Sequence, residues 1–340
     1  MLVSVTGGTG FVGSHSVAAL VRAGCHVRLL VRDKDAVGRA LGPLGVEPDE
    51  VEVRVGDVLD PAGVASFVSG ADAVLHAASV YSFDARKADA MRRVNLQGTE
   101  NVLGAARRAD VERTVYVSTV AAMWPANGRT IDVNSPVGRP RETYMATKAA
   151  AEEVARRHQT EGAPVVITYP PALLGPFDPH TGDQAARLRD TLRGLMPIWP
   201  LGGFPVGDVR DTAALHASVL TRPLEGENRF FGPGRYLTTR QYLDAVRQAT
   251  GRRLPAMFMP ARPMLPMGRM ADILQRFWPW HIPAEYGAVY TTVHATAVAA
   301  GAPTHGIEAR PVDRTMADTV RWLQASGQIS RRRAGTAALV

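Results

Sequence analysis

The chain has 340 residues, 46% hydrophobic and 21% charged, which suits ordinary soluble globular material with enough apolar content for a full sheet core and a smaller lobe. A net charge of +7 raises nucleic acid as a partner, but the arginines are spread along the chain and no nucleic-acid motif accompanies them. One cysteine, Cys25, excludes an internal disulfide and a cysteine metal cluster; the nine histidines show no ligand spacing, and no apolar run reaches the ~18 residues a spanning helix needs.

Residues 2–5 form an apolar, β-branched run that stops at Thr6-Gly7-Gly8-Thr9-Gly10-Phe11-Val12-Gly13, after which residues 14–22 follow a helical pattern. A strand that begins at Leu2 leaves no room for a signal peptide, so a cytoplasmic location is expected. Strand, glycine turn and helix together form a dinucleotide cradle. Gly7 permits the tight turn, Gly10 lets the backbone approach a pyrophosphate, and Gly13 lets the helix pack on the strand with its N-terminus facing the phosphates. Thr9, Phe11 and Val12 lie in the same loop.

A second strand over 25–31 opens with Cys25, read as inert core, and ends in Arg32-Asp33-Lys34. A carboxylate at this place would hold the adenosine ribose of NAD(H). Here Arg32, with Lys34 two residues on, can pair with a 2′-phosphate, so NADP(H) is preferred over NAD(H). A strand one residue longer would put Asp33 at the ribose and reverse the preference. Strands over 51–55, 73–75 and 114–117 run into Gly56-Asp57-Val58, His76-Ala77-Ala78-Ser79 and Ser118-Thr119. The carboxyl ends of parallel strands line one crevice, which puts Asp57 beside the adenine and Ala77 and Ala78 beside the adenosine and diphosphate. His76 reads as a hydrogen-bonded structural histidine and Asn95 as a brace.

Tyr144 and Lys148 are four residues apart, one turn along one helix face. Only three of the 39 cationic side chains are lysine, so an ordinary surface cation in this chain would be arginine. An ammonium one turn from a phenol favours the phenolate, and the pair is expected to exchange a proton near neutral pH.

In order along the chain, the glycine loop, Asp57, His76-Ala77-Ala78, Asn95, Ser118-Thr119 and Tyr144-x-x-x-Lys148 resemble an extended short-chain dehydrogenase/reductase of the epimerase/dehydratase superfamily. Val31-Arg32-Asp33 resembles the dihydroflavonol reductase-like branch, which typically uses NADPH to reduce ketones or aldehydes. The resemblance is dense in the first half and looser through Pro170-Pro171-Ala172-Leu173 and Asp208-Val209-Arg210-Asp211. It implies a catalytic set of Thr119, Tyr144 and Lys148, with Ser118 as the hydroxyl if the register slips by one. It also implies that Ser79, Val58, Pro171 and Leu173 lie beside the cofactor, and that the chain dimerises through the helices flanking its sheet. Val120 and Ala121 stand where dehydratases place an acidic pair, which argues against dehydration.

The expected architecture is α/β, a Rossmann-type doubly wound parallel sheet with a smaller, interleaved C-terminal substrate lobe. Residues 1–175 with about 208–235 form the first, 176–207 with 236–328 the second, and 329–340 a flexible basic tail. Within 263–280, Met270, Ile273, Leu274, Phe277 and Trp278 share a helical face, read as packing on the lobe, a lid or a membrane-surface foot. Met257, Met259 and the methionines of 264–270 suggest adaptable walls for a bulky apolar carbonyl substrate, with an acyl-CoA or other acidic substrate as an alternative. The expected activity is NADP-dependent reduction of a ketone or aldehyde. The alternatives are an epimerase, a hydroxysteroid-type dehydrogenase, and a redox sensor that binds NADP without turnover.

Overall fold

The computed structural model describes residues 1–82, 85–275 and 286–339. Twelve strands are described: β1 (Leu2–Thr6), β2 (His26–Val31), β3 (Val51–Val55), β4 (Ala73–His76), β5 (Arg113–Val117), β6 (Val165–Tyr169), β7 (Ala172–Leu174), β8 (Ile198–Leu201), β9 (Gly203–Asp208), β10 (Arg229–Phe231), β11 (Arg235–Thr238) and β12 (Met257–Pro260). Seven of them make one parallel sheet in the order β10-β6-β5-β4-β1-β2-β3. A parallel sheet covered on both faces needs strands that are apolar throughout, and β4 and β6 are buried at every residue.

The helices are α1 (Phe11–Arg22), α2 (Asp35–Leu41), α3 (Pro61–Val68), α4 (Ala88–Arg92), α5 (Gly98–Arg108), α6 (Thr143–Thr160), α7 (Asp183–Arg193), α8 (Val209–Thr221), α9 (Thr239–Thr250), α10 (Ala261–Gln275), α11 (Tyr286–His294) and α12 (Val312–Ala325). Side chains alternate across a strand, so each face of the sheet has its own partners. Val5, Leu29, Leu75 and Val115 pack with Val17 and Leu20 of α1 and with Leu215 and Val219 of α8. On the other face Leu30 and Val74 pack with Val64 and Phe67 of α3 and Val102 of α5. A three-stranded sheet, β11-β9-β7, and the pair β12-β8 lie outside the main sheet.

At the carboxyl end Arg331–Ala334 forms a short helix, and Ala334 and Ala337 are buried, so these residues pack on the core instead of fraying into solvent. Cys25 lies just before β2, half-buried, with its thiol pushed up by burial. No helix among the described residues is long and apolar enough to cross a membrane.

Candidate active site

The strand order turns back between β4 and β1, and their carboxyl ends open a cleft of about 200 Å³. Nine of the expected cofactor residues line it: Gly7, Thr9, Gly10, Arg32, Asp57, Val58, Ala77, Ala78 and Ser79. Gly7 has φ +76°, and a Cβ there would sit 2.5 Å from the Ala78 nitrogen, so the loop closes onto Ala77-Ala78 only as glycine. A Cβ on Gly13 would run into the Gly7 carbonyl oxygen. Gly10 caps α1 without a side-chain hydrogen bond, and the first turn of α1 carries no acidic residue, so its amides stay available to an anion. This cradle and its helix terminus fit the diphosphate of a dinucleotide.

β2 ends at Val31, and the next two residues go different ways. Arg32 lines the cleft. The Asp33 carboxylate accepts from the Asp35 backbone amide and from Arg39, each at 2.9 Å, and those two bonds hold it below the usual carboxylate range. Lys34 stands at the start of α2 and is not part of the cleft wall. Phe11, Val12 and Gly13 begin α1 beneath the loop. The Pro171 ring fills the space left by Gly207, Gly232 and Gly234, and Leu173 is buried on β7, so both side chains lie outside the cleft wall.

Several residues not singled out from the sequence also line the cleft, among them Val80, Val94 and His180. His180 comes from the loop before α7, where the Asp178 carboxylate accepts the backbone amides of His180 and Gly182. Asp178 is buried and its pKa is raised by that burial.

Behind the cleft, a buried polar chain fixes β1 and β4 to α5. The Ala78 amide donates to Thr6 Oγ1, which lies 2.7 Å from His76 Nδ1, and His76 Nε2 lies 3.1 Å from Thr99 Oγ1. Thr99 Oγ1 donates to the Asn95 carbonyl, which leaves its lone pair for an Nε2–H donor and assigns the His76 tautomer. Burial, aided by the Lys148 charge, lowers the His76 pKa to about 3, so it is a neutral structural residue. Asn95 sits in a single π-helical turn, Arg93–Gln97. Its Oδ1 accepts from the Val80 amide at 2.7 Å and the Ser79 hydroxyl at 3.0 Å, while its Nδ2 donates to the Val80 carbonyl and Thr147 Oγ1. It braces the cleft wall against the residue before Lys148.

Tyr144 and Lys148 lie on α6, and the helix starts with an unusual cap. The buried Glu142 carboxylate accepts the amides of Tyr144 and Met145. Lys148 is 3% exposed; its Nζ donates to the Val117 carbonyl at 2.9 Å and lies over the Tyr116 ring. Burial lowers its pKa to about 8 against the raising effect of Glu152. The expectation that the ammonium would draw the phenol toward neutrality is not met in this geometry. The Tyr144 pKa is raised, first by burial and then by the carboxylates of Glu142 and Asp183, while Lys148 points at a backbone carbonyl. The Tyr81 ring meets that of Tyr144 edge-on with centroids 4.4 Å apart.

Thr119 follows β5, two residues beyond the carbonyl that holds Lys148. Its hydroxyl accepts from the Ala121 amide at 3.3 Å, capping a 3-10 turn, and donates to the Pro170 carbonyl at 3.4 Å. Ser118 is buried, with its amide donating to Thr168 on β6. Three of the methionines expected as pocket walls are exposed. Met257 and Met259 are on the outer face of β12 because Phe258, between them, packs inward, and Met270 on α10 is exposed; Phe277 and Trp278 lie outside the described residues.

Residues 3–231 match the model of the NAD dependent epimerase/dehydratase family, and the chain belongs to that family. A putative dihydroflavonol 4-reductase of Synechocystis is 34% identical over 215 residues, 62% of this chain and 61% of that protein. Sterol demethylase protein B of Methylococcus capsulatus is 29% identical over 83% of this chain and 85% of its own length. A 4-hydroxy-2-methyl-3-oxo-4-farnesyl-3,4-dihydroquinoline-1-oxide ketoreductase of Stigmatella aurantiaca is 32% identical over 74% of each. Among solved structures, gox2253 superposes with a TM-score of 0.79 at 26% identity over 97% of this chain and 99% of its own. The UDP-glucose 4-epimerase of Bifidobacterium longum, in complex with NAD+ and UDP, gives 0.72 at 17% identity over 96% and 99%. The protein is an NAD(P)-dependent oxidoreductase of the extended short-chain dehydrogenase/reductase type.

Proposed function

We propose that the protein reduces a bulky, apolar ketone or aldehyde to the alcohol with NADPH. The observation that carries this reading is the hydrogen bond from Lys148 Nζ to the Val117 carbonyl, because it gathers the ammonium, Tyr144 one turn away and Thr119 at the carboxyl end of one strand. That end lies in the strand row whose neighbours open the dinucleotide cleft. NADPH, when bound, supplies the hydride.

In this reading the Thr119 hydroxyl turns from the Pro170 carbonyl to the substrate oxygen, and Tyr144 gives that oxygen its proton. A phenol held neutral by burial and two carboxylates is charged with its proton at the pH of turnover. Lys148, released from Val117, stabilises the phenolate left behind and holds the nicotinamide ribose. Arg32 takes the 2′-phosphate, since Asp33 is engaged by Asp35 and Arg39. The apolar substrate class is supported by the sterol and farnesyl groups in the names of two relatives and by the Tyr81 ring beside Tyr144.

The test is Tyr144→Phe, assayed with a panel of ketones and aldehydes and by NADPH titration. Turnover is expected to fall at least a hundredfold, as for loss of a general acid, with NADPH affinity nearly unchanged. Wild-type turnover in the variant would sink the mechanism. Oxidised NAD retained through purification would support an epimerase instead.

A further inference from the structure

We propose that the face formed by β8, β12 and the C-terminal arginines is a docking surface for an anionic lipid bilayer. β8 and β12 pair in parallel with Ile198 opposite Met257 and Pro200 opposite Met259. Strand alternation sends these residues outward while Trp199 is buried and Phe258 packs inward. Ile198 is 43% exposed and Met257 56%, and Leu195, on the turn leading into β8, is 60% exposed. Single exposed apolar residues are common, but a contiguous set across two paired strands marks a surface that meets something apolar.

The charge beside this face identifies the partner. Arg252 Nη1 donates to the Leu192 carbonyl at 2.7 Å and the Arg333 carbonyl at 3.0 Å, which ties the helix Arg331–Ala334 to the last turn of α7, ahead of the turn entering β8. Arg331, Arg332 and Arg333 are exposed there, as is Arg253 next to Arg252 in the chain, and none of the four makes a salt bridge among the described residues. Their crowding is felt by Arg252, whose pKa is lowered by burial and then by Arg333 and Arg332. No Asp or Glu occurs in residues 191–201, 251–270 or 325–340, and the carboxylates of the neighbouring helices, Asp190 on α7 and Asp244 on α9, are each paired with an arginine of their own helix. Unpaired arginines held together next to exposed aliphatic side chains match an interface where the apolar groups enter the acyl boundary and the guanidiniums meet headgroup phosphates.

A second copy of the chain that met this face about a two-fold axis through the arginine cluster would set that cluster against itself. Nucleic acid would use the arginines and leave the apolar strand face without a role.

The test is flotation with phosphatidylcholine vesicles, with and without phosphatidylglycerol. The wild-type protein is expected to float with the anionic vesicles, to do so less at high salt, and to stay behind with the neutral ones. Combined Arg331→Ser, Arg332→Ser and Arg333→Ser should cut the partition coefficient by roughly a hundredfold, about fivefold for each surface arginine. Combined Ile198→Ser and Met257→Ser should weaken it several-fold while leaving its salt dependence. Both variants should keep the wild-type melting profile and turnover of a soluble aldehyde without vesicles. Wild-type protein that ignores anionic vesicles, binding unaffected by the arginine substitutions, a dimer that needs Ile198 and Met257, or arginine-dependent binding to an oligonucleotide without vesicle binding would each overturn the assignment.

Discussion

Arg32 and Asp33 are neighbours in the chain with opposite fates: Arg32 lines the cleft, while the Asp33 carboxylate turns away to hold the start of α2 and Arg39. Cofactor choice in this proposal follows from that divergence. Arg32→Ala should weaken NADPH far more than NADH, by roughly 1 to 3 kcal/mol for a lost charge-assisted contact. Asp33→Ala should change both little, apart from a small loss of stability at the α2 cap. Fluorescence titration with each cofactor separates the outcomes, and equal losses for NADH and NADPH in Arg32→Ala would remove the 2′-phosphate reading.

The pH dependence should belong to Lys148 and not to Tyr144. Burial lowers Lys148 to about 8, whereas Tyr144 is raised, so the first group to lose its proton as pH rises is the lysine. kcat/KM for NADPH should therefore fall on an alkaline limb near pH 8. Glu152 raises the Lys148 pKa, so Glu152→Gln should move the limb to lower pH. A limb that stays fixed in Glu152→Gln would assign it to another group.

The parts of this molecule that are legible in its sequence are those fixed by local geometry. The spacing of Gly7, Gly10 and Gly13 is dictated by close backbone approach, and five of the seven parallel strands by apolar runs that end in small or polar residues, whereas β10, Arg229-Phe230-Phe231, has no such pattern. The partner chosen by a long flexible side chain is not local. Nothing near Lys148 in sequence shows that its Nζ reaches Val117, thirty-one residues upstream. Glu142 is a rare kind of helix cap, so the carboxylate that helps raise Tyr144 had no motif to betray it. His180 enters the cleft wall from a loop folded against it by positive φ at Phe177 and Thr181, a tertiary event without periodicity.

Asn95 should matter more for placement than for chemistry. Its four hydrogen bonds connect Ser79 and Val80 in the cleft wall to Thr147 on α6, and the side chain is 2% exposed. Asn95→Ala leaves several buried groups unpaired and should cost on the order of 2 to 4 kcal/mol. Asn95→Asp keeps the acceptor but sets its second oxygen against the Val80 carbonyl in a buried place, so it should cost at least as much stability as Asn95→Ala and raise KM for NADPH. A denaturant midpoint for each variant, set beside KM and kcat, checks this; an unchanged KM in Asn95→Asp would confine Asn95 to stability.

Acid should unfold the protein through its buried histidines. Burial lowers His76 and His216 to about 3 and His15 to about 4, and burial alone keeps His216 neutral between Ser16 Oγ at 2.8 Å and Thr168 Oγ1 at 3.0 Å. The folded pKa values lie below the unfolded value near ~6.5, so the unfolded chain takes up protons first as pH falls. The stabilisation is complete above pH ~6.5 and is lost as pH drops through the window toward the folded values. At pH ~5 each histidine then costs on the order of 1 to 2 kcal/mol, and three together are comparable with the whole stability of a typical domain. Urea midpoints should fall steeply between pH 7 and 5. His216→Gln should start lower at neutral pH but lose less on acidification, because one of the three proton uptakes is gone; the same acid slope as wild type would show that other groups govern the transition.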